Sequence, residues 1–170
     1  MNQKSRQVAE RLLQQLGVAS GEIYQDGRGV VVRLKDKAKL QPALSFLKQD
    51  RQCPFELLAH LSAIDWLFWK ERTGQQKAKR FTLFYNLYSL SQRARLFLEV
   101  DIEENESVAS ASAIYASANW AEREVYDLFG INFEGHPQLR RIFLPEDFRG
   151  HPLRKDFPCQ GRPAQDWPQE

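Results

Sequence analysis

The chain has only two cysteines, Cys53 and Cys159, far apart in its 170 residues. A four-thiolate iron–sulfur cluster is therefore impossible on this chain alone, and the pair reads as reduced thiols rather than a disulfide framework. Neither a G-x-G-x-x-G stretch nor a phosphate loop occurs. Gly27 and Gly29 sit between two strand-like runs, not before a helix, so nucleotide binding has no support. The longest apolar run, Leu57 to Trp69, is broken by His60 and Asp65 and falls short of the roughly 20 residues of a membrane span. Residues Met1 to Arg11 are polar, so no signal peptide is expected, and the chain should stay in the cytoplasm. Charge of one sign is not in excess either: the net charge is +2, with basic and acidic residues interleaved, which argues against nucleic acid as a partner. His60, His136 and His151 share no ligand spacing with each other or with the cysteines, so no metal site is expected.

What is present suffices for one domain with a sizeable core. Val8, Leu12, Leu13 and Leu16 recur at helical spacing before Gly17, which predicts a first amphipathic helix over Ser5 to Leu16. Glu22 to Tyr24 and Gly29 to Leu34 read as a hairpin around the turn-rich QDGRG. Leu40, Ala43, Leu44 and Leu47 predict a second helix over Leu40 to Gln49, with Pro42 tolerated in its first turn. Phe55 to Trp69 reads as a turn and then a strand. Lys70 to Lys79 reads as a polar loop. Arg80 to Ser89 and Arg93 to Ile102 should pair antiparallel across SLSQ, and an alanine-rich helix is expected from Ser107 to Tyr115. The aromatic residues Phe81, Phe84, Tyr85 and Tyr88 have no basic face beside them and are read as core and cross-strand packing rather than a base-stacking platform. The fold class is thus α+β: a two-layer domain, a mixed sheet covered by helices, with an extended irregular C-terminal arm. The boundary is placed at residue 133, leaving 134–170 as an interface arm.

The chain is organised around NWAEREVYDLFGINFEGHPQLRRIFLPEDFRGHPLRKDFP, Asn119 to Pro158. It opens as a helix that Asn119 could cap, with Glu122 completing a capping box and Gly130 as the stop. Ala121, Val125, Leu128 and Phe129 share one face; Arg123, Tyr126 and Asp127 lie on the other. Glu124 falls at the margin beside Trp120 and Leu128, where a half-buried carboxylate would need Arg140 or Arg141. Beyond Gly130, glycine and proline interrupt every few residues, yet Phe133, Leu139, Ile142, Phe143, Leu144, Phe148, Leu153 and Phe157 intervene. Such a segment needs a surface to lie on: a partner's, or its own domain's.

In ERE, YDLFGI, FEGHP, LRRI and GHPLRKDFP, taken in this order, the stretch resembles the signature of the 30 kDa (C) subunit family of proton-pumping NADH:quinone oxidoreductase, respiratory complex I. The likeness covers about a quarter of the chain and extends more loosely to LSAIDW, FTLFYNLYSL and ASANW. The corresponding subunit of membrane-bound nickel–iron hydrogenases is similar in ERE and DLFGI and is the alternative; GHPLRKDFP favours complex I. The signature residues carried onto this chain are Glu122, Arg123, Glu124, Tyr126, Asp127, Phe129, Gly130, Gly135, His136, Pro137, Arg140 and Arg141, then Gly150, His151, Pro152, Leu153, Arg154, Lys155, Asp156 and Phe157. The resemblance implies a cofactor-free scaffold of the peripheral arm, with FMN and iron–sulfur clusters on partner subunits. Its neighbours would be the quinone-site subunit of the 49 kDa (D) family and cluster-bearing subunits, on the cytoplasmic side of the bacterial inner membrane, with the membrane reached only through the complex. The tail after Pro158 is short for the family.

Glu122, Glu124, Asp127, His136 and His151 would also furnish the acid and base groups of a free-standing hydrolase-like enzyme. A structural reading is favoured, in which Arg123 pairs with Asp127 at i, i+4, Glu122 serves the cap, and each histidine, between Gly and Pro, bonds backbone in a turn. On that reading the chain has no catalytic, cofactor-binding or metal-binding residue.

Overall fold

A computed structural model describes residues 3–17, 19, 21–75, 77, 79–158 and 160. Cys159 and the tail 161–170 lie outside the described residues. The elements are α1 (Gln3–Leu16), β1 (Gly21–Asp26), β2 (Gly29–Leu34), α2 (Leu40–Gln49), β3 (Leu57–Asp65), α3 (Trp69–Thr73), β4 (Phe81–Ser89), β5 (Ala94–Ile102), β6 (Ser107–Ala109), α4 (Ala118–Phe129) and β7 (Asn132–Glu134). Five strands form a mixed sheet in the order β1-β2-β5-β4-β3, antiparallel except for the β2–β5 pair. The α+β class, the hairpin and the antiparallel β4–β5 pair stand as the sequence implies.

Alternation sets which face is covered. Val30, Val32 and Leu34 of β2, Leu96, Leu98 and Val100 of β5, and Phe81, Leu83 and Tyr85 of β4 point to one side. There they meet Leu12 of α1, Leu44 and Leu47 of α2, and Val125 and Phe129 of α4 in a single core. On the other side Glu99 is buried by polar neighbours, taking bonds from the Tyr24 hydroxyl (2.5 Å), Arg28 (2.8 Å) and Arg33 (2.9 Å). Burial works to raise its pKa, but these three bonds outweigh it and hold the carboxyl below the usual range. Cys53 is a buried free thiol.

Two expectations change. Ser107–Ala109 is a strand, not the start of a helix, because Val108 is buried opposite Phe133 in a short parallel ladder with β7, and turns follow to Tyr115. The expected polar loop after Lys70 begins with a helical turn, α3, closed by Gly74 in the left-handed region at φ 72°.

Candidate functional site

Helix α4 is where the signature gathers, and its buried residues are not the ones amphipathicity selects. Val125 and Phe129 face the core as expected, but Glu122, Arg123 and Asp127 are buried as well. The helix has two packed faces because the arm returns over the polar one.

Glu122 does not cap. The helix begins at Ala118, placing Asn119 inside it, and the Glu122 carboxylate accepts from Ser110 Oγ (2.6 Å) and Ala111 N (2.5 Å). It anchors the loop after β6. Desolvation raises its pKa against those two bonds and against nearby His136, whose Nε2 lies 4.0 Å away. His136 is held by backbone at both ring nitrogens: Nδ1 accepts from Gln138 N and Nε2 donates to Asn119 O, each at 3.0 Å. Those bonds fix the tautomer with the proton on Nε2.

Arg123 does not pair with Asp127. Its guanidinium lies over the Trp120 ring, 4.6 Å from the centroid, and donates to the carbonyls of Arg140 (3.2 Å) and Arg141 (3.4 Å). Asp127 turns to the arm instead. Its Oδ2 accepts from the backbone N–H groups of Ile142 (2.9 Å), Phe143 (2.8 Å) and Leu144 (3.1 Å), and its Oδ1 from Arg141 Nη1 (2.7 Å). Burial alone would raise the Asp127 pKa; the three N–H groups and Arg141 reverse that and hold it low. Arg141 also donates to the carbonyls of Phe148 (3.1 Å) and Gly150 (3.3 Å), closing 141–150 into a loop. The expected Glu124 partner is thus committed elsewhere: Arg141 engages Asp127, Arg140 is exposed, and among the described residues Glu124 makes no ion pair.

The second half of the arm caps the helix. A helix end leaves its last four carbonyls without intrahelical donors. Here Tyr126 O accepts from Gly130 N (2.9 Å), Asp127 O from His151 Nδ1 (2.9 Å), Leu128 O from Leu153 N (3.0 Å) and Phe129 O from Arg154 Nε (2.6 Å). Three of these four donors belong to GHPLR, and Arg154 adds a cation at the negative end of the helix dipole. Gly130 permits the closure twice over. It sits at φ 72°, and a Cβ there would lie 2.4 Å from His151 Nε2 and 2.7 Å from Arg154 Nη2. Burial, first of all, and then Arg154 and Arg141 beside it lower the His151 pKa, against the pull of its bond to Asp127 O.

Another buried carboxylate, not singled out by the sequence pattern, holds the end of the arm. Asp65, at the end of β3, accepts from Arg80 Nη2 (3.0 Å), Leu67 N (2.9 Å) and Lys155 N (3.0 Å). Arg80 in turn pairs with Asp156 (2.9 Å), and Glu104 bridges Arg80 (2.6 Å) and Arg154 (3.0 Å). Phe157 stacks on Phe148, 6.0 Å between centroids. The signal that could have found it is LSAIDW, where an aspartate ends an apolar strand.

Of the other signature positions, Tyr126 is half-buried, Gly135 makes a left-handed turn at φ 77°, and Pro137 and Pro152 occupy turns. The five acid–base candidates do not converge: Glu122 with His136 and Asp127 with His151 serve opposite ends of α4, and both histidines donate to backbone carbonyls as their turn positions suggest. Among the described residues no three His, Cys, Asp or Glu side chains gather as a metal site, and no helix is long and apolar enough to cross a membrane.

Residues 34–163 match the family described as respiratory-chain NADH dehydrogenase, 30 kDa subunit. The C subunit of NADH-quinone oxidoreductase from Trichlorobacter lovleyi is 43% identical over 141 residues, covering 82% of this chain and 81% of that one. Its namesake from Roseobacter denitrificans is 48% identical over 118 residues, 69% of this chain but 55% of its own, so this chain spans about half the length of that relative. In Acinetobacter baumannii the match, 45% over 123 residues, is to a protein named as a C/D subunit of the same enzyme, covering 72% of this chain and 20% of that one. Among solved structures, a trypsin-resistant fragment (1–134) of Nqo5 superposes with a TM-score of 0.61 at 30% identity, covering 78% of this chain and 99% of the fragment.

Proposed function

Because this chain belongs to the 30 kDa subunit family of respiratory-chain NADH dehydrogenase and is a subunit of NADH:quinone oxidoreductase, we propose that it serves that enzyme as a cofactor-free scaffold of the peripheral arm. Electron transfer from NADH to quinone, and the proton translocation coupled to it, are the work of the whole assembly. FMN and iron–sulfur clusters reside on partner subunits. Segment 134–170 is the interface arm, and its partner is the quinone-site subunit of the 49 kDa (D) family; the Acinetobacter baumannii relative supports this, since its C/D name joins the two in one chain. The protein lies on the cytoplasmic side of the inner membrane and reaches the membrane only through the complex. Relatives named for NADH-quinone oxidoreductase favour this branch over the hydrogenase one.

The observation that carries the scaffold reading is how the signature's polar groups are used. Among the described residues, Asp127, Arg141, His151 and Arg154 bind helix α4 to the arm, and Glu122 binds it to the loop after β6, so these groups are engaged in holding the fold together. Two measurements test it. Anaerobically purified chain should be colourless, and stoichiometric iron or flavin in it would sink the scaffold role. In membranes, Asp127→Ala should lower the amount of assembled complex on a native gel while NADH:quinone turnover per assembled particle stays near normal. A hundredfold loss per particle with normal assembly would place the residue in the chemistry.

A further inference from the structure

Five carboxylates are buried among the described residues, and four of them hold an arginine. Asp50 pairs with Arg11 (2.8 Å), Asp65 with Arg80 (3.0 Å), Glu99 with Arg28 (2.8 Å) and Arg33 (2.9 Å), and Asp127 with Arg141 (2.7 Å). Glu122 is the exception. It is 0% exposed, and among the described residues its one ion-pairing contact is His136 Nε2 at 4.0 Å, effective only if that ring is charged. The groups that face it are Tyr85 from β4, His136 from the turn after β7, and Ser110 and Ala111 from the loop after β6. Tyr85 is wholly buried and its hydroxyl makes no hydrogen bond to the protein, so the bonds to the carboxyl come from Ser110 and Ala111.

A buried charge without a paired cation is unfavourable, and a carboxylate relieves it by taking up a proton. His136 is badly placed to carry that proton. Its Nε2 already donates to Asn119 O and its Nδ1 accepts from Gln138 N, so a second proton would displace the Gln138 bond and open the turn that starts the arm. The carboxyl is well placed. Ser110 Oγ lies 2.6 Å from Glu122 Oε2 and 2.7 Å from Ser112 Oγ, and accepts from Ser112 N (3.1 Å). With the carboxylate ionised, Ser110 donates to Glu122 and accepts from the Ser112 hydroxyl. With a proton on Oε2, Glu122 donates to Ser110, whose own hydrogen turns to Ser112. Both states keep every bond. Ser112 is partly exposed, so the two hydroxyls link the buried carboxyl to the surface.

We propose that Glu122 is a proton-binding site inside this chain, loaded and unloaded through Ser110 and Ser112, and that its ionisation loosens the loop 110–112 from α4. Each hydroxyl passes on its own hydrogen as it receives another: one proton enters at Ser112, one arrives on Oε2, and neither serine changes charge. Desolvation outweighs what Ser110, Ala111 and His136 return and raises the Glu122 pKa, so the ionised form is relieved when the loop opens and admits water. The site goes beyond the scaffold role and belongs to the chain itself, whichever partner the arm meets.

Carbon-13 NMR of the side-chain carboxyls in the full wild-type chain tests the site without a variant. The Glu122 resonance should titrate at higher pH than that of an unstructured glutamate peptide. Deuterium exchange at Ala111 N–H, divided by the intrinsic base-catalysed rate, should rise through the same range. Glu122→Gln keeps both bonds without ionising and should abolish that extra rise. Ser112→Ala should slow, severalfold or more, the recovery of the infrared band of the protonated carboxyl after a pH jump. A Glu122 midpoint at or below the peptide's, an Ala111 rise that persists in Glu122→Gln, or a recovery rate that Ser112→Ala leaves unchanged overturns the proposal. The scaffold role is decided separately, by the amount of assembled complex.

Discussion

Replacing Asp127 by alanine tests whether one carboxylate organises the arm. The side chain is fully buried and its partner Arg141 is 16% exposed, so the substitution strands a mostly buried guanidinium and three backbone N–H groups. Removing one member of a buried pair costs about 3 to 5 kcal/mol. The N–H groups add less than their separate values, since residues 142–144 are partly exposed and water replaces some of what is lost. The core residues Val125 and Phe129 are untouched, so the loss falls on local opening of the arm rather than on global unfolding. At about 1.4 kcal/mol per tenfold, 3 kcal/mol raises the open population roughly a hundredfold. Where reclosing outpaces cleavage, the proteolytic rate follows that population. Trypsin should therefore cut at Arg149, Arg154 and Lys155 about a hundred times faster in Asp127→Ala than in wild type, while the fragment carrying the sheet survives. Asp127→Asn should fall between the two, since its carbonyl still accepts from 142–144 but its amide faces Arg141. Equal cleavage rates in wild type and Asp127→Ala would show that the arm is held by something other than this carboxylate.

Two further outcomes follow from the same geometry. Gly130→Ala should lower the melting temperature and speed the same cleavages, because an L residue in the left-handed region costs about 1 to 2 kcal/mol and its Cβ collides with His151 and Arg154; thermal melting beside the digest checks it, and an unchanged digest would mean that the capping by GHPLR is not needed. Acid should loosen the structure progressively. The lowered pKa values of His151, Asp127, Asp65 and Glu99 mean that each stabilises fully above its unfolded value and loses that contribution as pH falls through its folded one, so the decline starts below about pH 6.5 with the histidine and steepens below about pH 4 with the carboxylates. Glu122, with its raised value, runs the other way and is most favourable in acid. A melting temperature that stays flat from pH 7 to pH 3 would contradict the buried-carboxylate account.

The fold was legible where a single period decides a residue's side. Leu12 with Leu13, Leu44 with Leu47, and Leu96 with Leu98 each report one face of one element, and each lies in the core. Short elements were not legible. Ser107–Ala109 is three residues long, and its strand character comes from Phe133, 25 positions downstream of Val108, which no local window contains. The partners of charged residues were misassigned for the same reason. On an isolated helix Arg123 and Asp127 are natural i, i+4 neighbours, but that pairing holds only if their face meets water. The arm covers the face, and each goes to a partner about 15 residues further on. The partners of Asp65 were not legible, because its bonds to Arg80 and Lys155 span 15 and 90 positions.

The spacing of the signature has a physical reason. A helix ending at Gly130 with buried last-turn carbonyls needs donors, and the chain just beyond it, INFE, is occupied pairing with β6. The donors must come from further along, and GHPLR supplies them 21 to 24 residues after Gly130, once Asp127 has bent 142–144 and Arg141 has closed the loop to Gly150. YDLFG and GHPLR are therefore two halves of one helix terminus. The acidic helix and the distant histidine motif belong to a single structural unit whose bonds hold Phe143 and Leu153 in place.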